Sequence, residues 1–139
     1  MRAEAFLERP RKIKTLIKNK LLEREQWMAL ALSVTAYSDG DRVQSSGNLQ
    51  KMSNAVAMCV DMQTEIDRLV LQLAQEVHEV LSVIEQLPTD EYEVLHMRYF
   101  QNLSNNEVAE IRGKGAPWAS TMHTKGCKSV QRILDGRGK

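Results

Sequence analysis

The sequence predicts an all-α protein: a long antiparallel, coiled-coil-like helical hairpin followed by a three-helix helix-turn-helix module. Three observations predict it. Apolar residues recur three and four apart through two long segments, a polar stretch without periodicity separates them, and the last third is punctuated by helix start and stop signals at Pro88, Ser104, Gly113 and Pro117. The expected domains are residues 1–87, a hairpin suited to oligomerisation, and residues 88–139, the three-helix module.

The first helix is expected from Phe6 to Leu32, where Ile13, Leu16, Ile17, Leu21, Trp27, Met28 and Leu32 form an apolar stripe with Lys and Arg between them. Pro10 either sits in its first turn, placing the start near Glu8 or Arg9, or kinks an earlier turn. Thr35 to Asn48 reads as a connecting loop, either a flexible link or a contact surface, and Ser45 or Ser46 is placed to cap the second helix.

That second helix, about Leu49 to Gln86, carries Met52, Val56, Cys59, Met62, Ile66, Leu69, Leu73, Val77, Val80, Ile84 and Leu87 at alternating spacings of three and four. At 1.5 Å per residue it would span roughly 55 Å. One partner helix does not cover such a seam, so the hairpin is expected to pack on a second copy of the chain as a homo-dimer.

Pro88 ends the second helix. Thr89 is expected to cap the next one, with Asp90 and Glu91 in its first turn and Val94, Leu95, Tyr99 and Phe100 as its core face. Ser104 and Glu107 form a capping box for a short helix whose inward face is Val108, Ala109 and Ile111. Gly113 supplies a left-handed cap. From Pro117 to about Asp135 the last helix has Ala119, Met122, Cys127, Val130, Ile133 and Leu134 as its apolar stripe, and Ser120, Thr121, His123, Thr124, Lys125 and Lys128 on the opposite face.

The totals, 42% hydrophobic and 27% charged residues with a net charge of +1, suit a water-soluble domain. No apolar run reaches the roughly 18 residues of a membrane span, and the N-terminal residues lack a secretory pattern, so a cytoplasmic protein without a membrane partner is expected. Charge is segregated: residues 1–24 hold eight bases against three acids, 61–93 nine acids against one base, and 104–139 seven bases against three acids. The basic ends suit polyanion contact, or else solvated faces and attraction between the first two helices.

Cys59 and Cys127 lack metal-ligand spacing and read as packing residues. His78, His96 and His123 stand without a catalytic constellation, and the Gly113-Lys114-Gly115 turn lacks the strand and the Ser or Thr of a phosphate loop. No enzyme activity, cofactor or metal is expected.

Leu87-Pro88, Val94-Leu95-His96-Met97-Arg98-Tyr99-Phe100, Leu103-Ser104, Glu107-Val108-Ala109-Glu110, then Gly113 through Ala119 and Met122 to Lys125-Gly126-Cys127-Lys128-Ser129-Val130 resemble region four of bacterial sigma factors. With the hairpin, the Arg42-Val43-Gln44-Ser45-Ser46 loop, Trp118 and His123, the chain resembles small phage and prophage proteins, including late transcription regulators of the ArpU and RinA kind. The resemblance implies binding of double-stranded DNA in phage gene control, with contact to RNA polymerase a further possibility. The expected DNA-binding residues are Lys114, Ala116, Trp118, Ser120, Thr121, His123, Thr124, Lys125 and Lys128. Trp118 either packs on the preceding helix or faces DNA. Where sigma factors usually carry charged reading side chains, this chain has Ala116, Pro117, Ser120 and Thr121. The alternative is therefore a protein-interaction factor that contacts RNA polymerase or a phage packaging component.

Overall fold

A computed structural model describes residues 1–40 and 46–137, with the side chains of 34–40, 46 and 48 outside the description. Every regular element among them is an α-helix: α1 Ala3–Gly40, α2 Ser46–Ile84, α3 Thr89–Tyr99, α4 Asn105–Arg112 and α5 Ala116–Arg137. None of these helices is long and apolar enough to cross a membrane.

The loop expected over Thr35–Asn48 is much shorter than its composition suggests, because α1 continues to Gly40 and α2 already begins at Ser46. Ser, Asp and Tyr cost a helix only a few tenths of a kcal/mol each, so a short polar run does not end one. The Arg42–Ser45 core of that loop and the proposed Ser45 cap lie outside the described residues, as do the side chains of Tyr37 and Ser46. α1 also begins earlier than Glu8, at Ala3, and runs through Pro10. Pro10 has no N–H to give to the carbonyl of Phe6, yet burial of Phe6 and Leu7 holds the turn in place.

The chain divides into two compact units, residues 1–12 with 74–139, and residues 13–73. The break at Leu87–Pro88 separates helices, but the unit containing α3–α5 also takes in the first turns of α1 and the end of α2. Its larger core comprises Ala3, Phe6 and Leu7 of α1, Val80, Val83 and Ile84 of α2, Leu87, Leu95 and Tyr99, and Val130 of α5. Burying Phe6 and Leu7 contributes roughly 4 kcal/mol together, a large share of an ordinary stability margin. The Gln131 side chain fastens the same end, its Oε1 accepting from Ala3 N at 2.8 Å and its Nε2 donating to Met1 O at 3.0 Å. Arg9 adds an ion pair to the mostly buried Glu76 at 2.7 Å.

In the unit of residues 13–73, Lys20 Nζ meets Glu65 Oε2 at 2.9 Å, Arg24 donates to Gln63, and Cys59 Sγ reaches Arg24 O at 3.7 Å. Rising positions on α1 meet falling positions on α2, so the two segments run antiparallel. Hydrogen bonding to each other raises the Lys20 pKa and lowers that of Glu65. Ala31, Ala55, Cys59, Met62, Ile66 and Leu69 are buried here. Leu16, Leu21, Met28, Leu32 and Val56, expected in the seam, are exposed. A single neighbouring helix covers only one flank of an apolar stripe this wide.

Candidate nucleic-acid interface

α3, α4 and α5 pack pairwise on one another. Val94, Val108, Ala109 and Ala119 form the core between them, with Met97, Leu103, Trp118 and Met122 around it. Thr89 is the first helical residue of α3 rather than its cap: Pro88 occupies the cap position, its carbonyl accepting from Tyr92 N at 2.9 Å, and no side chain caps the end. Proline fixes the entry dihedral of a helix at the residue where a capping hydroxyl would otherwise be needed.

Between α3 and α4 the chain reverses at Asn102, whose φ of 57° lies in the left-handed region that Asn tolerates, and Arg98 Nη1 donates to Leu103 O at 3.3 Å. The expected capping box is present. Glu107 N donates to Ser104 Oγ and Ser104 N to Glu107 Oε1, each at 3.2 Å. α4 ends at Gly113 with φ 65°, and Lys114 N donates back to Ala109 O at 2.8 Å, the bond that closes a Schellman turn. Ile111, expected inside, is 60% exposed. It lies one position before Arg112, which the next turn turns inward toward α3.

α5 crosses α3 closely at Gly126, where a Cβ would stand 3.0 Å from Leu95 Cγ and Cδ1. Ala119, Gly126 and Val130 are its buried line. That line directs Ala116, Ser120, Thr121, Thr124, Lys125 and Lys128 into solvent, and Lys114, in the turn before α5, is exposed as well. Two hydroxyls are tied back to the helix: Thr121 Oγ1 donates to Pro117 O at 2.9 Å and Thr124 Oγ1 to Ser120 O at 3.1 Å. Their remaining lone pairs make them outward-facing acceptors.

His123, expected on this face, sits differently, and Trp118 takes the packing alternative. His123 is half-buried at the edge of the core, its ring stacked on Tyr99 and its Nε2 2.8 Å from the Tyr99 hydroxyl and 3.7 Å from Cys127 Sγ. Burial, with help from Arg98, lowers its pKa and so favours the neutral imidazole; burial likewise pushes up the Tyr99 hydroxyl and the Cys127 thiol. At spacings of four from Ala119 and three from Gly126, position 123 flanks the buried line rather than opposing it. Trp118 is half-buried on the second core, with Arg112 5.6 Å and Lys114 5.9 Å from its ring centroid.

Charge on this surface is mixed by α4 and concentrated by α5. Arg112 is committed to Asp90 at 2.7 Å and to Glu93, while Glu107 and Glu110 are exposed on α4. The sequence shows two basic ends without placing them together. In the structure a groove beside α5 is lined by Arg2, which precedes α1, by Lys12 of α1 and by Thr124 and Lys128 of α5, with Glu4 and Glu8 on its α1 side. The signal that would have found this is Phe6 and Leu7, an apolar pair whose burial needs a partner beyond α2. In comparisons with known proteins, no family model, no curated protein and no solved structure matches the chain.

Proposed function

We propose that this chain is a transcription regulator of phage or prophage type, and that it binds double-stranded DNA with α4 and α5 acting as a helix-turn-helix and α5 as the recognition helix. In this reading residues 1–87 form the helical hairpin and residues 88–139 the sigma region-four-like module. The observation that carries it is the exposed row on α5, hydroxyls at Ser120, Thr121 and Thr124 succeeded by lysines at 125 and 128; its Thr124 and Lys128 share a groove with Arg2 and Lys12, and with Glu4 and Glu8. A recognition helix needs both parts: side chains near its N-terminal half that meet base edges, and cations farther along that meet phosphate. Because their hydrogens are bonded to helix carbonyls, Thr121 and Thr124 suit acceptance from the exocyclic amino groups of cytosine or adenine. Selection from a random duplex library at moderate salt tests the reading. Enrichment of a defined site supports it, and recovery of unenriched sequence or of no DNA opposes it.

A second reading is favoured by Ile111. An apolar side chain 60% exposed beside the α4–α5 turn, with no charged residue at positions 116, 117, 120 and 121, suits a protein surface better than phosphate. It makes the chain an interaction factor that touches RNA polymerase or a packaging component. Loss of polymerase binding on Ile111→Asp, with DNA binding unchanged, would select this reading over the first.

A further inference from the structure

At the turn between α3 and α4 an open cleft of about 360 Å³ is lined by Arg11, Arg98, Asn102, Leu103, Ser104 and Glu107. All six belong to the unit of residues 1–12 with 74–139. Its two guanidinium groups come from different helices, and each is held by backbone. Arg11 Nη2 donates to Arg98 O at 2.5 Å, with the guanidinium 5.5 Å from the centroid of the Tyr99 ring, and Arg98 Nη1 donates to Leu103 O at 3.3 Å. A carbonyl oxygen fixes such a side chain without neutralising its charge. Arg98 shows the deficit: it is half-buried, it is in none of the ion pairs among the described residues, and its buried Nε has no hydrogen-bond partner. A guanidinium taken partly out of water without a counter-charge carries a cost that a bound anion relieves.

We infer that this cleft is a binding site for a phosphate group. The rest of the lining favours it. The Ser104 hydroxyl accepts from Glu107 N at 3.2 Å and so keeps its own proton for another acceptor, and Asn102 is exposed on the turn with an amide that donates twice. Glu107 is the one acid among the lining residues, and its Oε1 accepts from Ser104 N at 3.2 Å. The cleft therefore carries two positive charges against one negative. Guanidinium forks from two helices, together with a hydroxyl and an amide, suit a tetrahedral oxyanion with oxygens in several directions, whereas a carboxylate offers two in one plane. The phosphate belongs either to a nucleic-acid backbone or to a free phosphate compound. Nothing in this reasoning uses the exposed row of α5, so the site and the DNA-binding reading can fail separately.

The Nε–Hε resonance of Arg98 in the full chain reads the site, because a buried proton exchanges slowly; its disappearance in Arg98→Lys assigns it. Inorganic phosphate titrated at constant ionic strength is expected to shift it saturably, and acetate is not. Arg11→Gln is expected to weaken phosphate binding by about 10-fold or more through loss of a charge-assisted contact. Arg132→Gln, at an exposed arginine of α5 outside the cleft, is expected to leave it unchanged. If Arg11→Gln lowers helicity, Arg11→Lys replaces it and is held to a measurable weakening, because the charge stays while the fork is lost. Duplex DNA that shifts the same resonance identifies a nucleic-acid phosphate as the ligand, and duplex DNA that leaves it in place identifies a free phosphate compound. The absence of a saturable shift with inorganic phosphate overturns the inference, as does an equal shift with acetate or an affinity unchanged in the Arg11 variant.

Discussion

Gly126→Ala offers the most direct check on how closely α5 crosses α3. Replacing a helical glycine by alanine is ordinarily favourable, by about 1 kcal/mol in a helix interior. Here the added Cβ would stand 3.0 Å from both Cγ and Cδ1 of Leu95 and 3.3 Å from its Cδ2. Leu95 is fully buried. Because Cγ itself is struck, turning the end of the leucine does not relieve the overlap, and the helices must separate or the rotamer must distort. Overpacking of this kind costs typically 1–3 kcal/mol, so the net expectation is destabilisation by about 1 kcal/mol. In a Leu95→Ala background, itself weaker by about 2–5 kcal/mol, the obstacle is gone and Gly126→Ala becomes stabilising by about 1 kcal/mol. Urea unfolding monitored by Trp118 fluorescence, in a Trp27→Phe chain, measures all four corners of the cycle. A Gly126→Ala variant more stable than its parent when Leu95 is intact, or an effect of the same sign in both backgrounds, would refute the close crossing.

Ser104→Ala is expected to destabilise the α3–α5 region by about 1 kcal/mol, because both hydrogen bonds of the capping box depend on that residue; the same unfolding assay reads it. His123 has its folded pKa lowered by burial, so the unfolded chain binds the proton first and stability falls as pH drops below the unfolded value of about 6.5. An NMR titration should place His123 below that value, and His123→Gln should flatten the acid side of the stability profile. Arg9→Ala leaves the mostly buried Glu76 carboxylate without its 2.7 Å partner. It should cost about 1–3 kcal/mol, with part of the loss recovered by Glu76→Gln, as judged by thermal unfolding of the single and double variants.

The features legible in the sequence are local ones. Ser104 with Glu107 and the glycine at 113 specify their helix ends through bonds between residues three to five apart, and the structure contains those bonds. Burial of Tyr99, Val94, Leu95, Val108 and Ala119 is set by periodicity. The misplacements share another origin. Thr89 loses the cap to Pro88, Ile111 faces solvent because Arg112 rather than Ile111 lies in line with Val108 and Ala109 toward α3, and His123 sits at the margin of a stripe whose centre is the side-chain-free Gly126, invisible to a hydrophobicity pattern. The docking of Ala3, Phe6 and Leu7 near Val130 and Gln131 joins positions more than 120 residues apart, which no spacing rule reaches. For the candidate site, the exposed row on α5 is readable from helical periodicity, while the approach of Arg2 and Lys12 to Lys128 needs the fold.

The central claim is that α5 reads double-stranded DNA with separable phosphate and base contacts. Its most direct test is the salt dependence of duplex affinity for the wild type and for Lys125→Ala, Lys128→Ala, Ser120→Ala and Thr121→Ala, against one selected and one scrambled duplex. Each lysine variant is expected to weaken binding to both duplexes and to reduce the slope of log affinity against log salt by about 0.9. Each hydroxyl variant is expected to keep the slope and lose roughly 1–3 kcal/mol on the selected duplex only. A wild type without salt-dependent affinity for either duplex, or four variants that all bind as the wild type does, would contradict the claim.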